Sequence, residues 1–257
     1  MILLPGVRSV RTARRSQLAF YWHARDATLL AETGQQGVLS NEGVATTGSN
    51  LVPSVGSTIV AGSRQPRFTR VAPDNVLEMT GITAGKDIER LTFPFGLVAA
   101  DLTVLYRFTG LWTLGGTLAA QGGLFSIGTA IGDGAGAIRF QRSSGTNYFL
   151  SRSSSGGTSS DVSLAESASL SWPVDALVSY TASTGIAHLT LRGANGFLTS
   201  TINAGGSAHI FTSSRWAQQQ MTLGYDGSGS VPGQPHRLYF CKIATGEKTF
   251  AQMDLLF

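Results

Sequence analysis

Among 257 residues there is one cysteine, Cys241. No disulfide can form within the chain, so a small domain held by bridges is excluded. Cys241 sits in the apolar run Leu238-Tyr239-Phe240-Cys241 and reads as a small core residue rather than a nucleophile, since no base is placed beside it. Charge is also scarce, at 13% of residues, and lysine most of all: Lys86, Lys242 and Lys248 stand against sixteen arginines. Long stretches rich in Ala, Glu, Lys and Leu at helical spacing are missing, which excludes a helical bundle. No apolar run approaches the ~18 residues that a membrane helix needs. His23, His188, His209 and His236 are scattered without zinc-like spacing and read as surface or sheet-face residues. The glycines at 132, 134 and 136 have no βαβ unit or P-loop lysine around them, so they read as a turn. No Gly-x-Ser-x-Gly nucleophile elbow stands out.

What the chain does have is glycine, 32 of 257 residues, with abundant Ser and Thr, the composition of many short strands joined by tight turns. At this length it can bury a good core, as one large all-β domain or a domain with an extension. The clearest stretch is Pro173 to Ile202, which reads as three consecutive strands. In Asp175–Thr181, Ala176, Val178 and Tyr180 alternate with the rest as in a half-buried strand. A polar turn ends in Gly185, and Ile186–Arg192 sets Ala187, Leu189 and Leu191 against Ile186, His188 and Thr190. Gly193–Gly196 then supplies a glycine-flanked hairpin turn before Phe197–Ile202. Such a meander needs a second layer over its apolar face.

Further strands are expected at Arg90–Phe93, Leu102–Phe108, Gly123–Thr129, Ala137–Gln141, Asn147–Ser151, Ser159–Ala165, Met221–Gly224 and Arg237–Ile243. Ten to twelve strands at this spacing fit a two-sheet sandwich. Three segments follow. Residues 1–25 form a basic, aromatic arm, in which Arg8, Arg11, Arg14, Arg15 and Arg25 all precede the first acid, Asp26. Residues 26–79 form an irregular β-rich extension, and residues 80–257 the sandwich. Within the arm, MILLPGV is short and is followed by its arginines, the reverse of a signal peptide, so we expect an unprocessed, soluble protein. The arm's arginines could meet nucleic acid, but pairing with carboxylates of neighbouring subunits is the better reading.

Two resemblances sharpen this. The extension resembles a segment common in tailed-bacteriophage structural proteins, through Ala27-Thr28, Gly37-Val38-Leu39, Gln65-Pro66-Arg67-Phe68 and Val76-Leu77-Glu78-Met79. The region from about Thr80 is similar to a concanavalin A-like jelly roll of the laminin-G and pentraxin type. The matching pieces are Tyr180 with Gly185–Arg192, Met221-Thr222-Leu223-Gly224, and Arg237–Ile243 leading to a terminal helix over Thr245–Leu256. Thr245 is a candidate N-cap, although Lys248 leaves it without a capping box, and Phe250, Met253 and Leu256 fall at helical spacing. The resemblances imply an all-β, two-sheet antiparallel jelly-roll sandwich with an N-terminal arm and a short C-terminal helix.

Glycosidases on this fold are expected to carry a strand with three alternating carboxylates, whereas Asp87-Ile88-Glu89 offers two, beside Lys86 and Arg90, and reads as a solvated charge cluster. Domains of this type often hold calcium, but the turn acids Asp133 and Asp226 fall short of a ligand set and read as Asx-type turns. No cofactor is therefore expected. The primary expectation is a non-enzymatic virion protein on a phage tail or capsid surface, made in the host cytoplasm. It would assemble with other virion proteins or copies of itself, away from membrane and nucleic acid. The alternative is a carbohydrate- or receptor-binding module for host surface polysaccharide, with a glycoside hydrolase behind both. Candidate contacts are Arg8, Arg11, Arg14, Arg15, Trp22, Trp112, Tyr148, Trp216 and Tyr225, because aromatic faces and arginines serve sugars and protein partners alike.

Overall fold

Two antiparallel sheets face each other across an apolar core in the computed structural model. It describes residues 18–23, 52–54, 67–71, 74–79, 90–95, 101–118, 122–128, 137–153, 159–181, 183–203, 219–223 and 233–256. The larger sheet runs β13 (Leu198–Asn203), β12 (Ile186–Gly193), β11 (Val174–Thr181), β6 (Leu102–Gly110), β15 (His236–Thr245), β4 (Asp74–Met79) and β3 (Arg67–Val71), and β1 (Leu18–His23) also pairs with β15. The second sheet runs β10 (Ser159–Ala165), β9 (Asn147–Ser153), β8 (Ala137–Arg142), β7 (Gly122–Gly128), β14 (Gln219–Leu223), β5 (Arg90–Phe95) and β2 (Val52–Ser54). A short helix, α1 (Phe250–Leu255), follows β15.

The pleat explains the core. Leu102, Val104, Tyr106 and Phe108 of β6, Val174, Ala176, Val178 and Tyr180 of β11, and Ala187, Leu189 and Leu191 of β12 all point inward and are buried. They meet Phe125, Ile127, Ile138, Phe140, Tyr148, Val162 and Leu164 of the facing sheet. Burying one such side chain contributes about 1.5–3 kcal/mol. The β11–β12–β13 meander has the expected order, and the turns close through positive φ at Gly185 and Gly196.

Four expectations change. First, β11 is buried on both faces rather than one, because α1 lies across the outer side of the larger sheet and covers Leu105, Leu177, Phe240 and Ala244 with Met253 and Leu256. Second, the helix starts later than expected. Its N-cap is Thr249, whose Oγ1 accepts from the Gln252 N–H while the Gln252 side chain accepts from the Thr249 N–H, a complete capping box. Third, His236 belongs to the core, not to a surface. A bulge between Leu238 and Phe240 inserts one residue into β15 and shifts the inward parity from His236 and Leu238 to Cys241 and Ile243. Fourth, the aromatic end of the arm is β1, a strand on β15, and β3 and β4 of the extension continue the same larger sheet past β15, with β3 at its edge. The other quoted pieces of the extension, Ala27-Thr28, Gly37-Val38-Leu39 and Gln65-Pro66, lie outside the described residues.

The outer side of the larger sheet gathers charge. Register places Arg192, Asp175 and Arg107 in one row across β12, β11 and β6. The buried Asp175 carboxylate accepts from Arg107 Nε (2.6 Å) and Arg192 Nη2 (2.7 Å), and Arg192 also donates to Asp254 on α1 (2.7 Å). Arg192 holds the Asp254 carboxyl below its ordinary range, chiefly by that hydrogen bond. One pleat along, Lys242 is level with Leu105 and buried beneath the helix. Its Nζ donates to the Met253 carbonyl (3.4 Å) and lies 4.9 Å from the Phe240 ring centre. Burial lowers its pKa to about 7, against the pull of Asp254 and Asp175 and with the push of Arg107 and Arg192. Between pH 7 and 10.5 the unfolded chain holds a proton here that the folded chain has released, so this group adds stability as pH rises through that window. Lys242→Met, which keeps the apolar stem, is expected to raise stability by about 1–2 kcal/mol at pH 6. The advantage fades by pH 10.5, as urea unfolding of both proteins at each pH will show.

Candidate functional site

One end of the sandwich collects the loops that follow β6 (residues 111–118), join β8 to β9 (143–146), join β10 to β11 (166–173) and join β12 to β13 (194–197), with residues 233–235 leading into β15. The loops are cross-tied through their backbones. Leu118 N–H donates to Ser144 C=O (3.0 Å), Glu166 N–H to Thr146 C=O (2.6 Å), Ala194 N–H to Ser171 C=O (3.0 Å) and Leu111 N–H to Pro235 C=O (3.0 Å). Asn195 donates from Nδ2 to Ser169 C=O (2.8 Å) and from its backbone N–H to Ser171 Oγ (2.8 Å), and its Oδ1 accepts from the Phe197 N–H (3.2 Å). The approach is close enough that a Cβ on Gly193 would stand 2.8 Å from the Ser171 nitrogen, so glycine is required there.

Beneath the loops lies an ion pair. Arg142 Nη2 donates to Glu166 Oε2 at 2.9 Å, and both side chains are 0% exposed. Arg142 continues the inward alternation of Ile138 and Phe140 on β8, and Glu166 continues that of Val162 and Leu164 just past β10. Every hydrogen-bonding direction of the pair is used. Glu166 also accepts from Trp112 Nε1 (3.1 Å), from the Gly115 N–H (2.8 Å) and from the Tyr148 hydroxyl. Arg142 also donates to the carbonyls of Gly116 (2.9 Å), Ser143 (3.1 Å) and Gly145. A buried charge pair is tolerated only under such full satisfaction. Here the partners other than Tyr148 lie on two separate loops, 111–118 and 143–146, and Glu166 itself opens a third, so the pair fixes their mutual positions.

Over this base two indoles pack edge to face, Trp112 and Trp172, with centroids 5.5 Å apart and Phe108 below both. Both are half-buried. Trp112 folds back over Gly110 so closely that a Cβ there would sit 2.5 Å from its ring. On the same loops Leu111 is 44% exposed and Phe197 37% exposed. The polar neighbours on the loops are Thr, Ser and Asn. An indole face flanked by neutral hydroxyl and amide groups suits a ligand with both apolar C–H surfaces and hydroxyls.

Of the residues expected from sequence, Trp112 is at this rim. Tyr148 is at the same end but wholly buried, stacked on Phe140 with its hydroxyl on Glu166. Its ring has no face for a ligand, and its role is packing; burial and the neighbouring Glu166 charge push its pKa up. Trp22 pairs with Cys241 in the β1–β15 register, away from the rim. Arg8, Arg11, Arg14, Arg15, Trp216 and Tyr225 lie outside the described residues, as do Asp87, Glu89, the glycines at 132–136, and the turn acids Asp133 and Asp226 weighed for calcium. Among the described residues no three of His, Cys, Asp and Glu cluster as metal ligands. Cys241 is buried and its thiol pushed up by burial. His188 is surface-facing, 3.6 Å from Glu247. Sequence reading missed Trp172, Arg142 and Glu166. For the ion pair the signal was present: extending each strand's alternation by one step places both charges inside.

No family model matches the chain, and no curated protein matches it. Among solved structures, it is similar to the enzymatically active domain of tailspike protein 2 from bacteriophage CBA120, at 14% identity and TM-score 0.53, over 84% of this chain and 30% of that one. It is also similar to a protein of unknown function from Shewanella oneidensis MR-1, at 13% identity and TM-score 0.50, over 97% and 98% of the two chains. Peanut lectin aligns over 77% of this chain and 99% of its own at 15% identity, with a TM-score of 0.44. The likeness is one of architecture: this chain is an all-β jelly-roll sandwich, two antiparallel sheets with a short C-terminal helix.

Proposed function

We propose that this chain is a non-catalytic glycan-binding module whose ligand seats on the loop rim around Trp112 and Trp172. The observation that carries the reading is the pair of half-buried indoles on loops already locked by the Arg142–Glu166 pair. A rim fixed before binding loses little conformational freedom on contact, which favours affinity from a small area. Sugar C–H faces stack on indole, and the neighbouring hydroxyls and Asn195 amide supply directional contacts.

A second reading places the module in a phage virion, on a tail or capsid surface, in several copies and beside other virion proteins. It is prompted by the phage-like pieces of residues 26–79 and by the jelly roll shared with a tailspike domain. The two readings are compatible, since such a surface meets host polysaccharide. The test is retention on an immobilised panel of bacterial surface polysaccharides, with particle size measured in parallel. We expect retention by at least one glycan, weakened tenfold or more in Phe197→Ala, which removes an exposed ring the core does not need, and in Trp112→Ala. Failure of every glycan to retain the intact protein overturns the binding reading, and a monomer at all concentrations counts against the assembly reading.

A further inference from the structure

The rim differs from the rest of the molecule in its charge. Charges crowd the outer side of the larger sheet, where Arg107, Asp175, Arg192, Asp254 and Lys242 lie together. On the described loops of the rim, from Leu111 to Leu118, Ser143 to Thr146, Ser167 to Pro173 and Ala194 to Phe197, no residue is charged. Arg142 and Glu166, the charged side chains directly beneath those loops, are fully buried and spent on each other and on loop groups. Neither can turn outward without abandoning several hydrogen bonds in a dry site. From this distribution we infer that the rim takes an uncharged glycan, a neutral hexose or N-acetylhexosamine polymer, rather than one bearing sialic acid, uronic acid or phosphate. The inference rests on the glycan-binding reading and narrows it.

The physical ground is selectivity by omission. An anionic sugar entering the rim gives up hydration of its carboxylate or phosphate and meets no cation on the described loops to replace it. A neutral sugar meets what the rim supplies: indole faces, the Leu111 and Phe197 side chains, and the hydroxyl and amide groups of Thr113, Ser169 and Asn195. Contacts of this kind are indifferent to ionic strength, whereas ion pairs at an exposed rim are screened within about 10 Å at 0.1 M salt.

Affinity of the full chain is measured by calorimetry for matched neutral and anionic oligosaccharides at 20 mM and 500 mM sodium chloride. We expect the neutral ligand to bind with affinity unchanged within twofold between the two salts, and its anionic counterpart to bind at least tenfold more weakly. Thr113→Lys, an exposed position, should improve binding of the anionic ligand at low salt and lose that gain at high salt. Tighter binding of an anionic glycan by the unaltered protein, falling with salt, overturns this inference and leaves glycan binding standing. Absence of binding to every glycan of either class overturns the reading beneath it as well.

Discussion

Glu166→Gln is expected to lose about 3–5 kcal/mol of stability, the largest effect of any single substitution at the loop end. The size follows from what remains. Arg142 would stay buried at 0% exposure with its charge uncompensated, and its three carbonyl partners on Gly116, Ser143 and Gly145 hold the guanidinium where the charge cannot reach water. Glutamine keeps the shape but has one acceptor oxygen, so it can accept at the Trp112 position or at the Gly115 position and not at both; the loss combines the missing charge with one missing hydrogen bond at unchanged volume. Arg142→Met alone should cost a similar amount, because it strands the carboxylate. The double variant should recover a large part of the two separate losses, since neither charge is then buried alone, and a coupling of at least 1.5 kcal/mol is expected from the cycle. Urea unfolding of the four proteins measures this directly. Single variants within 1 kcal/mol of the parent would show that the rim is held by its backbone hydrogen bonds and not by the pair.

That experiment also separates scaffold from site. Glu166 touches Trp112 through Nε1 and Gly115 through its N–H, so losing the charge should loosen the loop that carries the indole before the sandwich itself unfolds. The core strands β6, β11 and β12 are tied to the opposite sheet by apolar contacts that Glu166 does not share. Trp112 is therefore positioned by electrostatics at the loop end, and the sheets beneath it by hydrophobic burial.

Alternation made most of the sandwich legible in the sequence. Ala176, Val178 and Tyr180 on β11, and Ala187, Leu189 and Leu191 on β12, announced their inward faces, and the strand at Ser159–Ala165 has the expected bounds. What alternation could not show was anything set by tertiary contact. The burial of Leu177 and Leu105 on the outer face depends on α1 returning across the sheet. The parity change in β15 depends on a bulge that no residue type demands. Leu18–His23 had to find an edge of β15 more than two hundred positions away before it could be recognised as a strand. At the site, Trp112 stood out as an aromatic beside a turn, but Trp172 sits in a run of serines, and Arg142 and Glu166 look like surface charges until the pleat is followed to its end. Charges at inward parity near a strand terminus deserve to be read as structural partners for loops.

Acidification from pH 6.5 to 4 is expected to remove about 3 kcal/mol of stability through His236 alone. The ring is fully buried in the core, its pKa lowered to about 4 by desolvation, with a smaller opposing contribution from its hydrogen bond to the backbone. Nδ1 lies 2.7 Å from the Gln234 carbonyl, which can only accept, so Nδ1 carries the proton; Nε2, 2.6 Å from the Tyr106 hydroxyl, then accepts. A second proton would have to displace the Tyr106 hydroxyl hydrogen and place a charge among Phe108, Tyr106 and Leu238. Between pH 6.5 and 4 the unfolded chain binds a proton here that the folded chain refuses, so stability falls with pH across that window and levels off below it. Carboxylates elsewhere titrate over part of the same range, and comparison with His236→Gln subtracts them. Glutamine can donate and accept at the same site but does not titrate. The variant should start less stable at pH 7.5 and lose about 3 kcal/mol less on acidification, so the two unfolding curves converge towards pH 4. Parallel curves would overturn this and mean that the ring takes up its proton inside the fold at an ordinary pKa, with the Tyr106 hydroxyl turned to the Leu124 carbonyl and accepting from Nε2.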